Sequence, residues 1–519
     1  MIPIHSRLHM TTTMLGCFFC FLLFCSFSEE KKRFPNDENT IEVNSGEANY
    51  EGNEIVLFGD VSVKHSLGEI LATKFSIRSC DKKDKKNKFS YLEMEGDVEI
   101  ELKGGGKLTC QNAQVDYSIL KGVFLGSKSF PDVIYHNLGE KLFSNQIDLL
   151  LEMKSKKLEI FLEREFNPDT QSNQTAVKEI QSYDDVRVNY NNKYFIVTDQ
   201  AYYQRLPRSN SQISVGTVIL KQYPNGTPCK LTNSLGDELE ALSVTLNTAN
   251  RSLSMEIVQG VFQTKREENS NEALKFSSDF LTWNDDNQEI LLEGHVNMFH
   301  NEQFTFNTDQ KLLIGRKSDQ GTNALRFIHV PQRVEMTYID PKNQYKHFLT
   351  CPGSLFVDNE KLEMILEGIA DTQEGDETTQ VYLECQVGEM YADRIHIDYE
   401  WENNQISPKK ITLIGHVRLI SRFDGHVQES ASVLHYALAE IVEYFPQQQE
   451  LLLKSEQGNQ VLFFDKINQV QMSAQSLKIN RDPITNKEAV RGFGNVRFIF
   501  MERELEQIKK RFRLKDKEI

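Results

Sequence analysis

The chain has no CxxC pair, no acidic block and no helical periodicity worth the name before Glu502. Each absence removes a class of function. Five cysteines, Cys80, Cys110, Cys229, Cys351 and Cys385, follow the first apolar run, an odd number at wide spacing. Zinc-ribbon and thiol-redox readings therefore fail. The spacing does not choose a disulfide pairing, and buried apolar thiols are an equal reading. A net charge of −16 spread along the whole length argues against nucleic acid, whose phosphates need basic surface. It also means that an anionic ligand would be held by burial of its apolar parts, against the overall charge. No Ser/His/Asp or Cys/His constellation and no distinct acid pair stands out, so no catalytic residue is expected. Gly104-Gly105-Gly106 opens no helix, which excludes a phosphate loop. An enzyme on a β-scaffold would need groups that nothing here nominates, and no cofactor is expected.

Long apolar runs are also scarce. The one that exists, Met14 to Cys25, follows Arg7 and is followed by Ser26-Phe27-Ser28. A charged start, a short apolar middle and small residues at the end predict a signal peptide over residues 1–28, cut after Ser28. Extended from Met10 to Ser28 the segment nearly reaches spanning length, so an uncleaved anchor is the alternative. Both predict export.

What the chain does have is alternation. Runs of four to nine residues switch apolar and polar at every step, with Gly, Asn, Asp and Lys clusters between them, the pattern of β-strands. One phrase recurs. Ile55, Leu57, Gly59, Val61 and Val63 share a face by parity, because successive side chains of a strand point to opposite sides. The same phase returns in Leu92, Met94, Gly96, Val98 and Ile100, and in Ile290, Leu292, Gly294, Val296 and Met298. It returns again in Ile411, Leu413, Gly415, Val417 and Leu419, and more loosely in Val490, Gly492, Gly494, Val496 and Phe498. A glycine inside a strand marks a bulge, a bend or a close backbone approach. Parity puts Gly59, Gly96, Gly294, Gly415 and Gly494 in the middle of the apolar face, each as the crease of a strand whose arms face one interior. A second phrase, a small residue, two spacers and apolar-x-apolar, alternates with the first. Ala72 to Ile77, Ser278 to Trp283, Ala392 to Ile397 and Ala474 to Ile479 carry it. Stacked strands creased at one place enclose a continuous apolar trough between two facing sheets. At about ten residues per strand and two strands per rung the chain predicts roughly 25 rungs, a rod on the order of 120 Å.

Ala48-x-Tyr50, the Ile55 to Val63 phrase and the Ala72 to Ile77 strand resemble the organic-solvent-tolerance-A-like family. Its domain is shared by the periplasmic bridge protein of lipopolysaccharide transport and the N-terminal part of the outer-membrane translocon. The likeness covers residues 41–126, about 274–300 and 391–500, and is weak between. It implies an all-β, V-shaped jellyroll of two facing antiparallel sheets, built as one rod or as two or three stacked units. It also implies an interior that holds the acyl chains of lipopolysaccharide and passes them towards the outer membrane. Partners on that reading are lipopolysaccharide, other jellyroll proteins of the bridge joined by edge-strand pairing, and the outer-membrane translocon, in the periplasm of a Gram-negative envelope. The expected lining is the inward set of the glycine phrases, Ile55, Leu57, Val61, Val63, Met94, Val98, Ile100, Leu292, Val296, Met298, Leu413, Val417, Leu419, Val496 and Phe498, with Phe75 and Ile77. The alternative is an exported structural or adhesive β-solenoid whose core is filled.

Composition suggests a first unit over 29–166, a divergent middle over 175–373 and a C-terminal unit over 381–500. The polar runs 167–173, 265–271 and 374–379 mark candidate boundaries. The charged stretch 501–519 has Leu505, Ile508 and Phe512 at helical spacing, a candidate cap for the last rung. His295 and His416 hold the same repeat position, taken elsewhere by Asp60, Asp97 and Asn495. That is an outward polar position, so no metal site is assigned. Lys82 to Lys88 reads as a solvated hairpin tip.

Overall fold

Residues that alternate apolar and polar are stable as strands with one face hidden, and most described residues lie in one. The structure, a computed structural model, describes residues 42–500 apart from 79–90, 103–105, 139–149, 168–171, 207–215, 265–271, 370–377, 423–432, 482–487 and one or two residues at a few other positions. The expected signal segment, the basic run at 82–88 and the expected C-terminal helix lie outside the described residues. All strand pairing is antiparallel, and it forms two ladders that run side by side. We call the ladder that starts with Glu47–Glu51 the first sheet and the one that starts with Glu42–Asn44 the second.

Long strands belong to both ladders. Glu54–His65 pairs through Glu54–Phe58 with Lys74–Arg78 in the first sheet, and through Val61–His65 with Gly68–Ala72 in the second. Tyr91–Leu102, Tyr194–Arg205, Ser252–Thr264 and Gln405–Arg422 span both sheets likewise. Elsewhere a rung consists of two short strands, such as Glu289–Glu293 in the first sheet and Val296–His300 in the second. About two dozen rungs follow one another in chain order, each one strand spacing from the last. One sheet is thereby folded lengthwise into two facing layers, the double-sheet architecture expected from the sequence.

The fold line is a row of bulges. At each glycine phrase two residues oppose one: Gly59 and Asp60 face Thr73, and Gly415 and His416 face Glu440. Both members of the pair are left-handed, with φ +74° and +45° at Gly59 and Asp60, and +72° and +41° at Gly294 and His295. This is a bulge that opens with glycine in the left-handed region, which bends the strand sharply. Because two residues are absorbed together, parity is the same on both arms: Met94 and Val98 are both buried although Gly96 lies between them.

One expectation is corrected here. The glycines do not sit on the apolar face; Gly59 and Gly494 are exposed and Gly96, Gly294 and Gly415 half-exposed, on the outside of the crease. Their requirement is twofold. Positive φ is costly for a residue with a Cβ. In addition, a Cβ on Gly294 would fall 2.9 Å from Asp279 Cβ, and one on Gly415 3.0 Å from Asp393 Cβ. Those aspartates belong to the small-residue phrase of the neighbouring strand, so the two repeated phrases are the two halves of one crease. Gly294→Ala is expected to destabilise by about 1–3 kcal/mol. Gly52→Ala has φ +61° but nothing within 4 Å, and should cost less. Denaturant midpoints of the two variants check the difference.

Pairing continues past each polar run. Asn167 pairs with Ser172, Thr264 with Glu272, and Val381–Cys385 with the earlier strand Lys346–Cys351. The interior is one contiguous apolar cluster from Leu57 to Leu477.

Candidate functional site

The site suggested by the repeat is the space between the layers. Among the expected lining residues all but Ile55, Val496 and Phe498 are buried, none more than 8% exposed. Ile55 is half-buried and packs against the core. Val496 and Phe498 keep inward parity, since Phe498 pairs with buried Met472. They are nonetheless 40% and 53% exposed, because they lie on the last described rung and no further strand among the described residues covers them.

The layers touch through their side chains. Trp283 of the first sheet meets the rings of Tyr194 and Phe262 of the second edge-on, at 5.7 and 5.9 Å. Phe262 stacks on Phe276 at 4.4 Å. These rings fill the space between the sheets around Trp283.

Opposite the crease, the two rows of hairpin ends form a mouth, and polar ties cross it. Arg316 at the rim of the first sheet donates from its two terminal nitrogens to Asp237 at the rim of the second, at 2.6 and 3.2 Å, and to the carbonyl of Gln263 at 2.9 Å. The pair is out of water, Asp237 0% and Arg316 4% exposed, and the guanidinium lies over the rings of Phe262 and Trp283. Farther along, the Gln303 side chain donates to the carbonyl of Ile406 at 2.8 Å and accepts from its amide at 3.3 Å. The Tyr338 hydroxyl donates to the same carbonyl at 2.9 Å. Burial pushes the Tyr338 phenol well up from its ordinary range, which keeps it a donor.

Between these ties a cavity of about 110 Å³ opens at the mouth. Phe304 and Phe306 close it from the second sheet, and Ile328, Val357, Met364, Tyr399 and Trp401 from the first. Lys317, Arg326, Asn359 and Glu360 stand around it. Sequence reasoning missed both the ties and the cavity. Their residues lie outside the glycine phrases, and partners such as Gln303 and Ile406 are separated by 103 positions.

The two histidines of the repeat do not converge. His295 Nδ1 lies 2.7 Å from Asp279 and His416 Nδ1 2.7 Å from Asp393, each across its own crease. The Asp279 hydrogen bond and charge raise the His295 pKa. Among the described residues no three His, Cys, Asp or Glu side chains gather to hold a metal ion. Cys110, Cys229, Cys351 and Cys385 are buried and form no disulfide with one another, and Cys80 lies outside the described residues. Burial pushes the Cys110 thiol up to about 12 and Cys351 to about 11, which makes them poor nucleophiles.

Compared with models of known protein families and with curated proteins, the chain matches none.

Proposed function

We propose that the folded sheet takes up acyl chains of lipopolysaccharide between its layers and carries them across the periplasm to the outer membrane, as one component of a protein bridge and without covalent chemistry. The observation that carries this reading is the unbroken inward stripe of Val, Ile, Leu, Met and Phe, held at one parity through every glycine crease. An amphiphile cannot cross water with its chains exposed, since each CH₂ buried is worth about 0.8 kcal/mol. A lining uniform from rung to rung gives a chain no single deep well to be trapped in. Loading would part the layers at the mouth, about the crease as hinge, and break ties such as Gln303 to Ile406.

Further support comes from the ends. Among the described residues the strands Glu42–Asn44 and Glu47–Glu51 pair on one side only, as do Glu488–Phe493 and Arg497–Phe500. Open edges of this kind accept strands of another jellyroll, which would build a bridge and join it to the outer-membrane translocon. The exposed inward faces of Val496 and Phe498 would continue the stripe into such a partner.

The rings of Trp283, Tyr194 and Phe262 that meet across the layers favour a second reading, an exported structural solenoid with a filled core. Photo-crosslinking from Val61 and Val296 in living cells separates the two. Lipopolysaccharide adducts at both positions are the expected outcome. Absence of adducts at every inward position, together with purified protein free of lipopolysaccharide, would leave the solenoid.

A further inference from the structure

On the outer face of the second sheet, near its last rungs, one row of side chains is hidden where water should reach it. Ladder pairing sets Glu389, Ile420, Tyr436, Phe464, Gln471 and Ile499 side by side on six successive strands. They face outward, since Leu419, Ala437, Phe463 and Met472, one position away, belong to the core and neighbours along a strand point to opposite sides. Yet Tyr436 is 1%, Phe464 5%, Ile420 6% and Glu389 7% exposed, and the first three form an apolar cluster separate from the core. Farther back on the same outer face Phe299 and Phe348 are 46% and 41% exposed. That is what neighbours on the sheet alone leave open. Every described strand belongs to one of the two ladders, so no strand among the described residues covers the row.

The segment 501–519 has the length, the apolar stripe and the charge to lie there. It follows Arg497–Phe500, the last described strand, whose Ile499 ends the row. Six strands are about 24 Å across, and the nineteen residues of the segment make about 28 Å of helix. Met501, Leu505, Ile508 and Phe512 fall on one helix face. On a helix run back along the row, Ile508 and Phe512 lie about 10 and 16 Å from Met501. Phe464 and Tyr436 lie about 10 and 14 Å from Ile499, so the stripe meets the apolar cluster. The second half carries Lys509, Lys510, Arg511, Arg513, Lys515 and Lys517. It arrives where Glu389 stands directly opposite Glu384. Like charges so placed repel, and cations delivered there are favourable. Segment 423–432 leaves from Arg422 and returns at Val433 on the paired strand, so it is tethered at one point of the row.

We infer that residues 501–519 dock as a helix on the outer face of the second sheet of their own chain, along the row from Ile499 to Glu389. The inference stands on burial, length and charge and does not need the transport reading. A segment laid there leaves the edge of Arg497–Phe500 open to a partner strand, where a cap over the last rung would close it.

Full-length protein with the photo-reactive p-benzoylphenylalanine in place of Phe512 is irradiated, digested and read by mass spectrometry. Adducts with the peptides that hold Ile420, Tyr436 or Phe464 are expected. In a mixture of light and heavy-isotope chains they should join light to light and heavy to heavy. Leu505→Asp with Ile508→Asp should lower their yield about tenfold. In the same double variant without the photo-probe, amides of Val433–Phe445 and Val461–Asp465 should exchange about tenfold faster, with Glu54–His65 unchanged. Adducts with Glu488–Phe493 or Arg497–Phe500 would place the segment over the last rung and overturn the assignment. Mixed-isotope adducts would overturn it in favour of a second copy. Scattered or absent adducts, or exchange that ignores the two aspartates, would overturn it by leaving the row to another part of the chain.

Discussion

Asp237→Ala is expected to loosen the middle of the protein by about 3–5 kcal/mol, the cost of leaving one member of a buried ion pair without the other. Asp237 is fully shielded from water and accepts from Arg316, from the Asn233 side chain at 2.7 Å and from the Gln263 amide at 2.7 Å. Its loss strands a guanidinium sandwiched against Phe262 and Trp283, where little water can reach it. In a ladder whose rungs touch only near neighbours the damage stays local. The measurement is therefore hydrogen exchange, not a single melting point. Amides of Glu238–Asn247 and Lys311–Asp319 should exchange about a hundredfold to a thousandfold faster, with the strands near Glu54–His65 unaffected. Replacing both partners, Asp237→Leu with Arg316→Met, should recover most of the loss, because a well-packed apolar pair is often as stable as the ion pair it replaces. Uniform exchange in Asp237→Ala would show that the tie carries no stability.

Phe75→Ala is expected to cost about 3–5 kcal/mol as well, through lost transfer energy and the cavity left behind. Phe75 is 0% exposed and belongs to the lining that parity selects. Phe498, of the same inward parity but 53% exposed, should lose less than about 1 kcal/mol on the same change. The contrast bears on function. Were the interior a solvent-filled trough, Phe75 would already be wetted and both substitutions would be mild. A large loss at Phe75 shows that the unloaded layers are closed, so that any lipid must enter by separating them. Local exchange rates in Tyr91–Leu102 and Glu54–His65, which flank Phe75, read the effect.

Much of the architecture is legible in the residues. Period-two alternation commits the chain to strands, since a one-step slip would turn every apolar side chain to water. The glycine phrase reports the crease because left-handed backbone at that point is costly for other residues. Even so, parity counted through Gly96 as though the strand were straight. That count kept Met94 and Val98 on one face correctly but put the glycine there too, whereas the left-handed pair lifts it outward. Creases without glycine, such as Asp184 with Asp185 and the positive φ of Ile257, carry no such mark in the sequence.

By itself, then, the sequence determined that this protein is a ladder of creased antiparallel strands with one apolar side, because pleat and left-handed bulge are local properties of a few residues. Which rung of one layer faces which rung of the other was decided only by the tertiary structure. Strand twist accumulates along both sheets, and it sets Asp237 opposite an arginine 79 positions away and Gln303 opposite Ile406, 103 positions away. Those offsets tie the mouth and leave an aromatic cavity between the ties.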